Sequence, residues 1–106
     1  MTSTEHAYWA AVERILECGV PLGVACTGGG SQLATWLLNH PGASRAIVEV
    51  QIPYHPKATQ AFLGVDGPIP VEAETARLMA LKSYRRSSEF AGKGPVVGLG
   101  CTAALA

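Results

Sequence analysis

The stretch that decides the fold comprises residues 20–31 and reads VPLGVACTGGGS. Its first part, residues 20–25, is a short apolar run of the kind that forms a buried strand. Three consecutive glycines then interrupt the run, and residues at helical spacing follow them: Leu33, Trp36, Leu37 and His40. The sequence therefore predicts a strand, a glycine turn and a helix, which together form the building unit of layered α/β folds.

Elements on both sides of this unit continue the alternation of helices and strands. Before it, apolar residues at helical intervals over residues 8–16 predict a helix that ends at Gly19. After it, the pattern predicts a strand, a short helix, a long helix and a third strand, over residues 46–52, 55–63, 71–90 and 96–103. We therefore expect one domain, residues 1–106, with a three-layer α/β/α fold and a small, mainly parallel or mixed sheet.

The third predicted strand, residues 96–103, is apolar at every position except Thr102. Strands that are buried on both faces show such continuous apolar runs, whereas half-exposed strands alternate between apolar and polar residues. We therefore expect this strand to lie buried in the centre of the sheet. Its far side then needs a cover, and we expect a partner or a further segment beyond Ala106 to supply it.

The composition excludes several classes of protein. Hydrophobic residues make up 48% of the 106 residues and charged residues 15%, where about 25% charged is usual, so the chain is not intrinsically disordered. Eight Lys and Arg residues balance eight Asp and Glu residues, which excludes the basic surface of a nucleic-acid or membrane-surface binder. Because the sequence shows neither a membrane span nor a signal peptide, we expect a cytoplasmic protein.

The three cysteines, Cys18, Cys26 and Cys101, are odd in number and far apart in the sequence. This arrangement fits neither a disulfide framework nor the paired cysteines of a zinc site. We therefore expect reduced thiols, no bound metal and no cofactor.

The glycine turn is the strongest candidate for a binding site. It places Thr27, Gly28, Gly29, Gly30 and Ser31 between the carboxyl end of a strand and the amino end of a helix. Ligands of open α/β sheets bind at that edge, and free backbone N–H groups at the start of a helix attract phosphate. The turn lacks the Lys-Ser/Thr pair of a Walker loop and the glycine spacing of a dinucleotide loop. Phosphate binding and a tight turn without a ligand therefore both stay open.

Several further motifs follow one another in an order typical of a known family: Cys26-Thr27-Gly28-Gly29, Pro41-Gly42-Ala43-Ser44, Tyr54, Leu63-Gly64-Val65, residues 71–74, Ala76-Arg77 and Met79-Ala80. Together they resemble the CinA C-terminal domain family, which includes nicotinamide-nucleotide amidases that deamidate nicotinamide mononucleotide. Cys101-Thr102-Ala103 falls where that family has a Val-Thr-Gly strand end. The resemblance is closer still to the CinA-like region that precedes cytidylyltransferase-like domains. It implies the same α/β fold, in a chain that extends beyond Ala106.

At the positions that carry catalysis in this family, the chain departs from the pattern. The family's amidases have Glu-Ser before the Cys-Thr-Gly-Gly motif, with the Ser as nucleophile, and here Val24 and Ala25 stand there. The family's assisting Tyr is kept as Tyr54, but its Lys position is Thr59. The resemblance thus implies a catalytically degenerate domain that keeps a nucleotide or phosphate ligand, with Tyr54 and Thr102 lining the site.

Two alternatives remain open beside this reading. The first is an active nicotinamide-nucleotide amidohydrolase with altered catalytic residues. Cys26 would be its nucleophile, because the start of a helix lowers the pKa of a nearby thiol, and His55 or Lys57 would take a new role. Lys57 lies two residues before Thr59, about 200° away around a helix, and is a poor replacement for the family's Lys. The other alternative is a non-enzymatic oligomerisation or interaction domain, in which a homo-oligomer covers the open side of the sheet.

Overall fold

The computed structural model describes residues 2–104. Its elements are α1 (Ser3–Glu17), β1 (Leu22–Gly28), α2 (Gln32–Leu38), β2 (Ile47–Gln51), α3 (Pro56–Leu63), α4 (Ala73–Ala91) and β3 (Val97–Ala103), with 3-10 turns at Gly29–Ser31 and Ala43–Arg45. Each predicted helix and strand is confirmed, with ends that differ by a few residues. Over residues 2–104, the structure contains no helix that is both long and apolar enough to cross a membrane.

The end of β1 differs from the prediction in a way that shapes the candidate site. β1 continues past Ala25 to Gly28, because these residues pair with β3 along its full length. Gly28 then turns the chain with a φ of +71°, and Gly29–Ser31 form a 3-10 turn. Since α2 begins only at Gln32, the three glycines belong to the strand end and the turn rather than to the first turn of the helix.

The sheet has the strand order β2-β1-β3, and its pairs are parallel. The connection from β1 to β2 runs through α2 on one face of the sheet. The connection from β2 to β3 runs through α3 and α4, and it crosses to the other side of β1. A topological switch point therefore lies between the carboxyl ends of β1 and β3, which is where open α/β sheets bind ligands.

One face of the sheet, under α1 and α2, holds the hydrophobic core. Val24 and Leu37 are almost completely buried there. Tyr8 of α1 stacks on Trp36 of α2, with ring centroids 3.8 Å apart. The other buried members of this core are Val12, Leu16, Leu22, Ala43 and Ala46. The core therefore joins α1 and α2 to β1 and β2.

The opposite face is covered by α4 at very close range, because glycines face this helix. An ideal Cβ built on Gly98 would lie 2.6 Å from the backbone nitrogen of Tyr84, and one built on Gly100 would lie 2.6 Å from that of Ala80. A Cβ on Gly23 of β1 would instead overlap the side chain of Ser87 in α4. The helix backbone can approach the strands this closely only because these positions lack a side chain.

β3 is an edge strand, so the prediction that it lies buried in the centre of the sheet is wrong. Val97 is 48% exposed and Leu99 is 38% exposed, because α2 packs toward β2 and leaves the neighbouring half of that face uncovered. The apolar run has another cause: Gly98 and Gly100 alternate with these residues and admit α4. The strand is therefore apolar at every position but Thr102 without being buried on both faces.

An ion pair ties β2 to α4. Arg86 Nε lies 2.6 Å from Glu49 Oε1, and Arg86 Nη2 lies 3.2 Å from Glu49 Oε2. Gln51 Nε2 donates to the same carboxylate at 3.1 Å. These hydrogen bonds, that from Arg86 above all, lower the pKa of Glu49 below its ordinary value of 4.5. The pair therefore stabilises the fold while Glu49 is ionised.

Replacing Glu49 with glutamine is expected to lower the free energy of unfolding by about 1 kcal/mol at neutral pH, because a charge-assisted hydrogen bond is lost. The folded pKa of Glu49 lies below its value in the unfolded chain, so this contribution is present above pH 4.5 and is lost as the pH falls through the folded pKa. Thermal unfolding at a series of pH values should therefore show a difference between wild type and Glu49→Gln that vanishes in strong acid.

Glu74→Gln is the matched control for this prediction. Glu74 pairs with Arg77 at 2.7 Å on α4, but the two side chains are 56% and 61% exposed. Solvated ion pairs and an exposed carboxylate in the first turn of a helix contribute little to stability, so the melting temperature of Glu74→Gln should fall less than that of Glu49→Gln. Equal destabilisation by both variants at neutral pH, or a Glu49→Gln deficit that persists in strong acid, would contradict the assigned role of Glu49.

Candidate functional site

A cleft of about 610 Å³ lies at the carboxyl ends of β1 and β3, at the switch point of the sheet. Small-molecule sites commonly have volumes of about 300–1,000 Å³. The lining combines both strand ends, the start of α3 and the loop before α4: Thr27, Gly28, Tyr54, Pro56, Thr59, Gln60, Gly67, Pro68, Ile69, Val71, Thr102 and Ala103. Its position and size are those of a ligand site in an open α/β sheet.

Two threonines at the ends of neighbouring strands meet in this cleft. Thr27 of β1 pairs with Thr102 of β3, in the register that also pairs Gly28 with Ala103. Paired residues of neighbouring strands point to the same face of a sheet, so the two side chains lie side by side. The cleft therefore offers two adjacent hydroxyl groups, each of which can donate and accept a hydrogen bond.

The start of α3 supplies a wall of the cleft. His55 caps this helix, because its Nδ1 accepts a hydrogen bond from the backbone N–H of Lys57 at 3.1 Å. Thr59 is buried, and its hydroxyl donates back to the carbonyl of His55 at 3.3 Å. Tyr54, the residue before the cap, lines the cleft while 73% of its surface stays exposed.

The loop between α3 and α4 supplies a second wall and is bonded at two points. Gln60 Nε2 donates to the carbonyl of Gly67 at 2.7 Å. Thr75 Oγ1, at the start of α4, donates to the carbonyl of Pro70 at 2.6 Å. Ile69 lies between these two bonds and adds half-buried apolar surface to the cleft. Side chains of both flanking helices therefore hold the loop against the strand ends.

The cleft carries polar groups but no formal charge. Within the described part of the chain, its lining side chains include no carboxylate, amine, guanidinium, imidazole or thiol. Hydroxyl groups come from Thr27, Tyr54 and Thr102, whereas Thr59 and Gln60 direct hydrogen bonds to backbone carbonyls. Such a lining suits a ring with hydrogen-bonding substituents. It provides neither an activated nucleophile nor a base.

Four residues of the predicted binding site come together in this cleft: Thr27, Gly28, Tyr54 and Thr102. Sequence reasoning missed Gln60 and the loop over residues 67–71. The turn signal Asp66-Gly67-Pro68 locates a loop in the sequence. Only the tertiary structure places this loop beside the ends of β1 and β3.

The rest of the glycine turn lies outside the cleft lining. An ideal Cβ built on Gly30 would lie 2.7 Å from Cys101 Sγ, so Gly30 packs directly on the sheet. Ser31 forms no side-chain capping bond at the start of α2. Neither Gly29 nor Ser31 is among the residues that line the cleft. The structure thus gives Gly30 a packing role beside β3.

Cys26 is not placed as a nucleophile, and the predicted lowering of its thiol pKa is wrong. Its side chain is completely buried, and as the neighbour of Thr27 in a strand it points to the opposite face. Burial raises the pKa of the Cys26 thiol, and the nearby Cys101 raises it further. A buried thiol with a raised pKa holds little of the reactive thiolate.

The other candidate catalytic residues are also apart from the cleft or already engaged. His55 and Lys57 are exposed and do not line it. Ala25, at the family's nucleophile position, is buried and carries no functional group. Thr59, at the family's Lys position, donates to a backbone carbonyl. At these positions, the described residues therefore assemble no nucleophile with a base beside it.

The polar groups of the cleft are hydroxyls and an amide, none of which is a favoured ligand for a transition metal. Among residues 2–3 and 6–104, whose side chains the structure describes, no group of three or more His, Cys, Asp or Glu side chains is arranged to hold a metal ion.

Comparisons of this chain with family models, with curated proteins and with solved structures each found no match.

Proposed function

We propose that this chain is a CinA-like domain that binds a nucleotide-like small molecule, with nicotinamide mononucleotide as the first candidate, and does not hydrolyse it. One observation carries the proposal: Thr27, Gly28, Tyr54 and Thr102 converge in a single cleft. That cleft lies at the switch point, where ligands of open α/β sheets bind.

The residues at the family's catalytic positions support binding without turnover. Amide hydrolysis by a side chain needs a nucleophile and a base within hydrogen-bond reach of each other. Ala25 has no hydroxyl, Thr59 directs its hydroxyl to a backbone carbonyl, and Cys26 is buried with a raised pKa. The same observations disfavour an active amidohydrolase with altered residues.

The lining of the cleft matches two parts of such a ligand. The hydroxyls of Thr27 and Thr102 can donate to the carboxamide oxygen. Ile69 and Val71 supply apolar surface for a ring. Because no charged side chain lines the cleft, we expect the phosphate to stay hydrated. The corresponding nucleoside should therefore bind almost as tightly as the nucleotide.

Millimolar nicotinamide mononucleotide is expected to raise the melting temperature by a few degrees, since a ligand that binds only the folded state stabilises it by mass action. No ammonia should be released. Thr102→Val removes one hydroxyl and keeps the shape of the side chain, so it should weaken binding about 3- to 10-fold. Thr35→Val, at an exposed position of α2, is the matched control and should bind as wild type does.

Three results decide between this proposal and its alternatives. The absence of any shift at millimolar nucleotide contradicts the binding claim, and so does equal weakening by Thr102→Val and Thr35→Val. Release of ammonia establishes the amidohydrolase instead. In that case, an unchanged rate in Cys26→Ala and His55→Ala removes both residues as catalytic candidates.

We further propose that the protein works in the cytoplasm and as a homo-oligomer. The three cysteines, Cys18, Cys26 and Cys101, are free thiols in the structure, which suits a reducing compartment. The uncovered apolar half of the sheet beside β3 supports self-association.

A further inference from the structure

The outer rim of β3 is an unprotected sheet edge. The backbone N–H of Val97 donates to the carbonyl of Pro21 at 2.9 Å, toward β1. Because backbone groups alternate in direction along a strand, those of Gly98, Gly100 and Thr102 point away from β1. The strand VGLGCTA contains neither a charged residue nor a proline, which are the usual means of protecting an edge. β3 is therefore open to pairing with another strand.

The other edge of the sheet is protected. β2 carries Glu49, and the carboxylate of Glu49 is bonded to Arg86 of α4. Pro53 follows this strand and cannot donate a backbone hydrogen bond. A strand added beside β2 would have to desolvate this ion pair, whereas a strand added beside β3 meets no charge. The difference between the edges favours β3 as the docking edge.

Apolar side chains flank the open edge on both faces of the sheet. Val97 and Leu99 are 48% and 38% exposed on the face that α2 leaves uncovered. On the other face, Tyr84 of α4 lies beside Gly98 and is 46% exposed. The backbone of α4 lies over Gly98 and Gly100 of β3, and its serine side chains reach Gly23 of β1. A strand paired there would bury apolar surface from both faces.

The chain exposes more surface than an average monomer of its mass. A monomer of 11.0 kDa is expected to expose about 5,600 Å², whereas this chain exposes 6657 Å². The excess, about 1,000 Å², is close to the roughly 800 Å² that each partner buries in an interface of standard size. The flat shape of the chain, 39 × 39 × 18 Å, agrees with an uncovered edge.

We propose that two copies of this chain associate through β3, in antiparallel orientation about a twofold axis at Gly100, and form one continuous sheet. A strand that pairs with its own copy about a twofold axis must do so antiparallel. With Gly100 facing Gly100, Gly98 of each copy faces Thr102 of the other. The outward backbone groups of all three residues then find partners, and no like charges meet.

Sedimentation equilibrium of the full chain at micromolar concentration is expected to give about twice the monomer mass of 11.0 kDa. Hydrogen exchange then locates the interface: the amides of Gly98, Gly100 and Thr102 should exchange about tenfold more slowly as the protein concentration rises through the transition. Leu99→Lys places a charge beside the edge and should give the monomer mass. Ile15→Lys, at a 47% exposed position of α1, is the matched control and should stay dimeric.

Each outcome bears on the proposal. A monomer mass at every concentration overturns it, and so does a dimer in which the exchange of Gly98 and Gly100 does not depend on concentration. If Leu99→Lys fails to fold, as judged by circular dichroism, the exchange measurement on the wild type still decides. Thr102→Val keeps its backbone groups, so weaker nucleotide binding by this variant at an unchanged dimer mass separates the interface from ligand binding.

Discussion

Gly100→Ala is expected to destabilise the protein by about 3 kcal/mol, which lowers the melting temperature by on the order of 15 °C. A Cβ at this position would overlap the carbonyl of Ala76 and lie 2.6 Å from the nitrogen of Ala80. Both obstacles belong to the backbone of α4, so no change of rotamer relieves the contact. The helix has to move away from β3, and thermal unfolding followed by circular dichroism measures the cost.

Gly42→Ala is the matched control for this prediction. Gly42 has an ordinary φ of −87°, and a Cβ there would lie 3.0 Å from Arg45 Nη2, the end of a flexible side chain. We expect a loss below about 1 kcal/mol, because the guanidinium can move aside. If Gly100→Ala melts as close to wild type as Gly42→Ala does, the packing of α4 on β3 described above is wrong.

Gly28→Ala is expected to lower the free energy of unfolding by about 3–4 kcal/mol, because it adds backbone strain and steric overlap together. Gly28 has φ +71° and ψ −135°, a combination that residues with a Cβ rarely adopt. A Cβ there would also overlap the carbonyl oxygen of Ala103. Because Gly28 and Ala103 both line the cleft, the variant should also reduce the shift in melting temperature that the nucleotide produces.

Gly92→Ala separates the two causes. Gly92 follows α4 with φ +78° and ψ −144°, close to the backbone conformation of Gly28, and no atom lies within 4 Å of an ideal Cβ there. Its replacement should therefore cost about 2 kcal/mol, through backbone strain alone. Equal losses in Gly28→Ala and Gly92→Ala would mean that Gly28 does not touch β3, and the described end of β1 would then be incorrect.

The order of helices and strands could be predicted because its signals are local. Gly19 and Gly64 follow α1 and α3 with a φ of +70° each, and a glycine carries that freedom in its own backbone. The parallel sheet follows from the alternation of strands and helices. Each of these features depends on neighbours within a few residues, so the sequence pattern is enough to find them.

The place of β3 in the sheet could not be predicted, because an apolar run does not say which face of a strand is covered. Gly98 and Gly100 count as apolar, yet their role is to let α4 approach. Whether Val97 and Leu99 are buried depends on which part of the sheet α2 covers. The connections between the strands and helices determine that position. Local patterns contain no information about that choice.

The candidate site was predictable only in part, for a similar reason. The glycine turn pointed to Thr27 and the family resemblance to Tyr54 and Thr102, and the parallel register of β1 and β3 then placed the two threonines side by side. The expected lowering of the Cys26 thiol pKa was wrong because the side chain is buried, and burial raises that pKa. Side chains alternate between the two faces of β1, so Cys26 points away from the face on which Thr27 lines the cleft.

The most direct test of ligand binding in the cleft is a titration of the isotope-labelled chain with nicotinamide mononucleotide, followed by amide chemical shifts. Binding at the switch point predicts saturable shifts at Thr27, Gly28, Gln60 and Thr102, and an intact carboxamide on the ligand afterwards. Saturable shifts confined to the groove between α1 and α2, near Trp36, or no shifts at millimolar nucleotide, would contradict it.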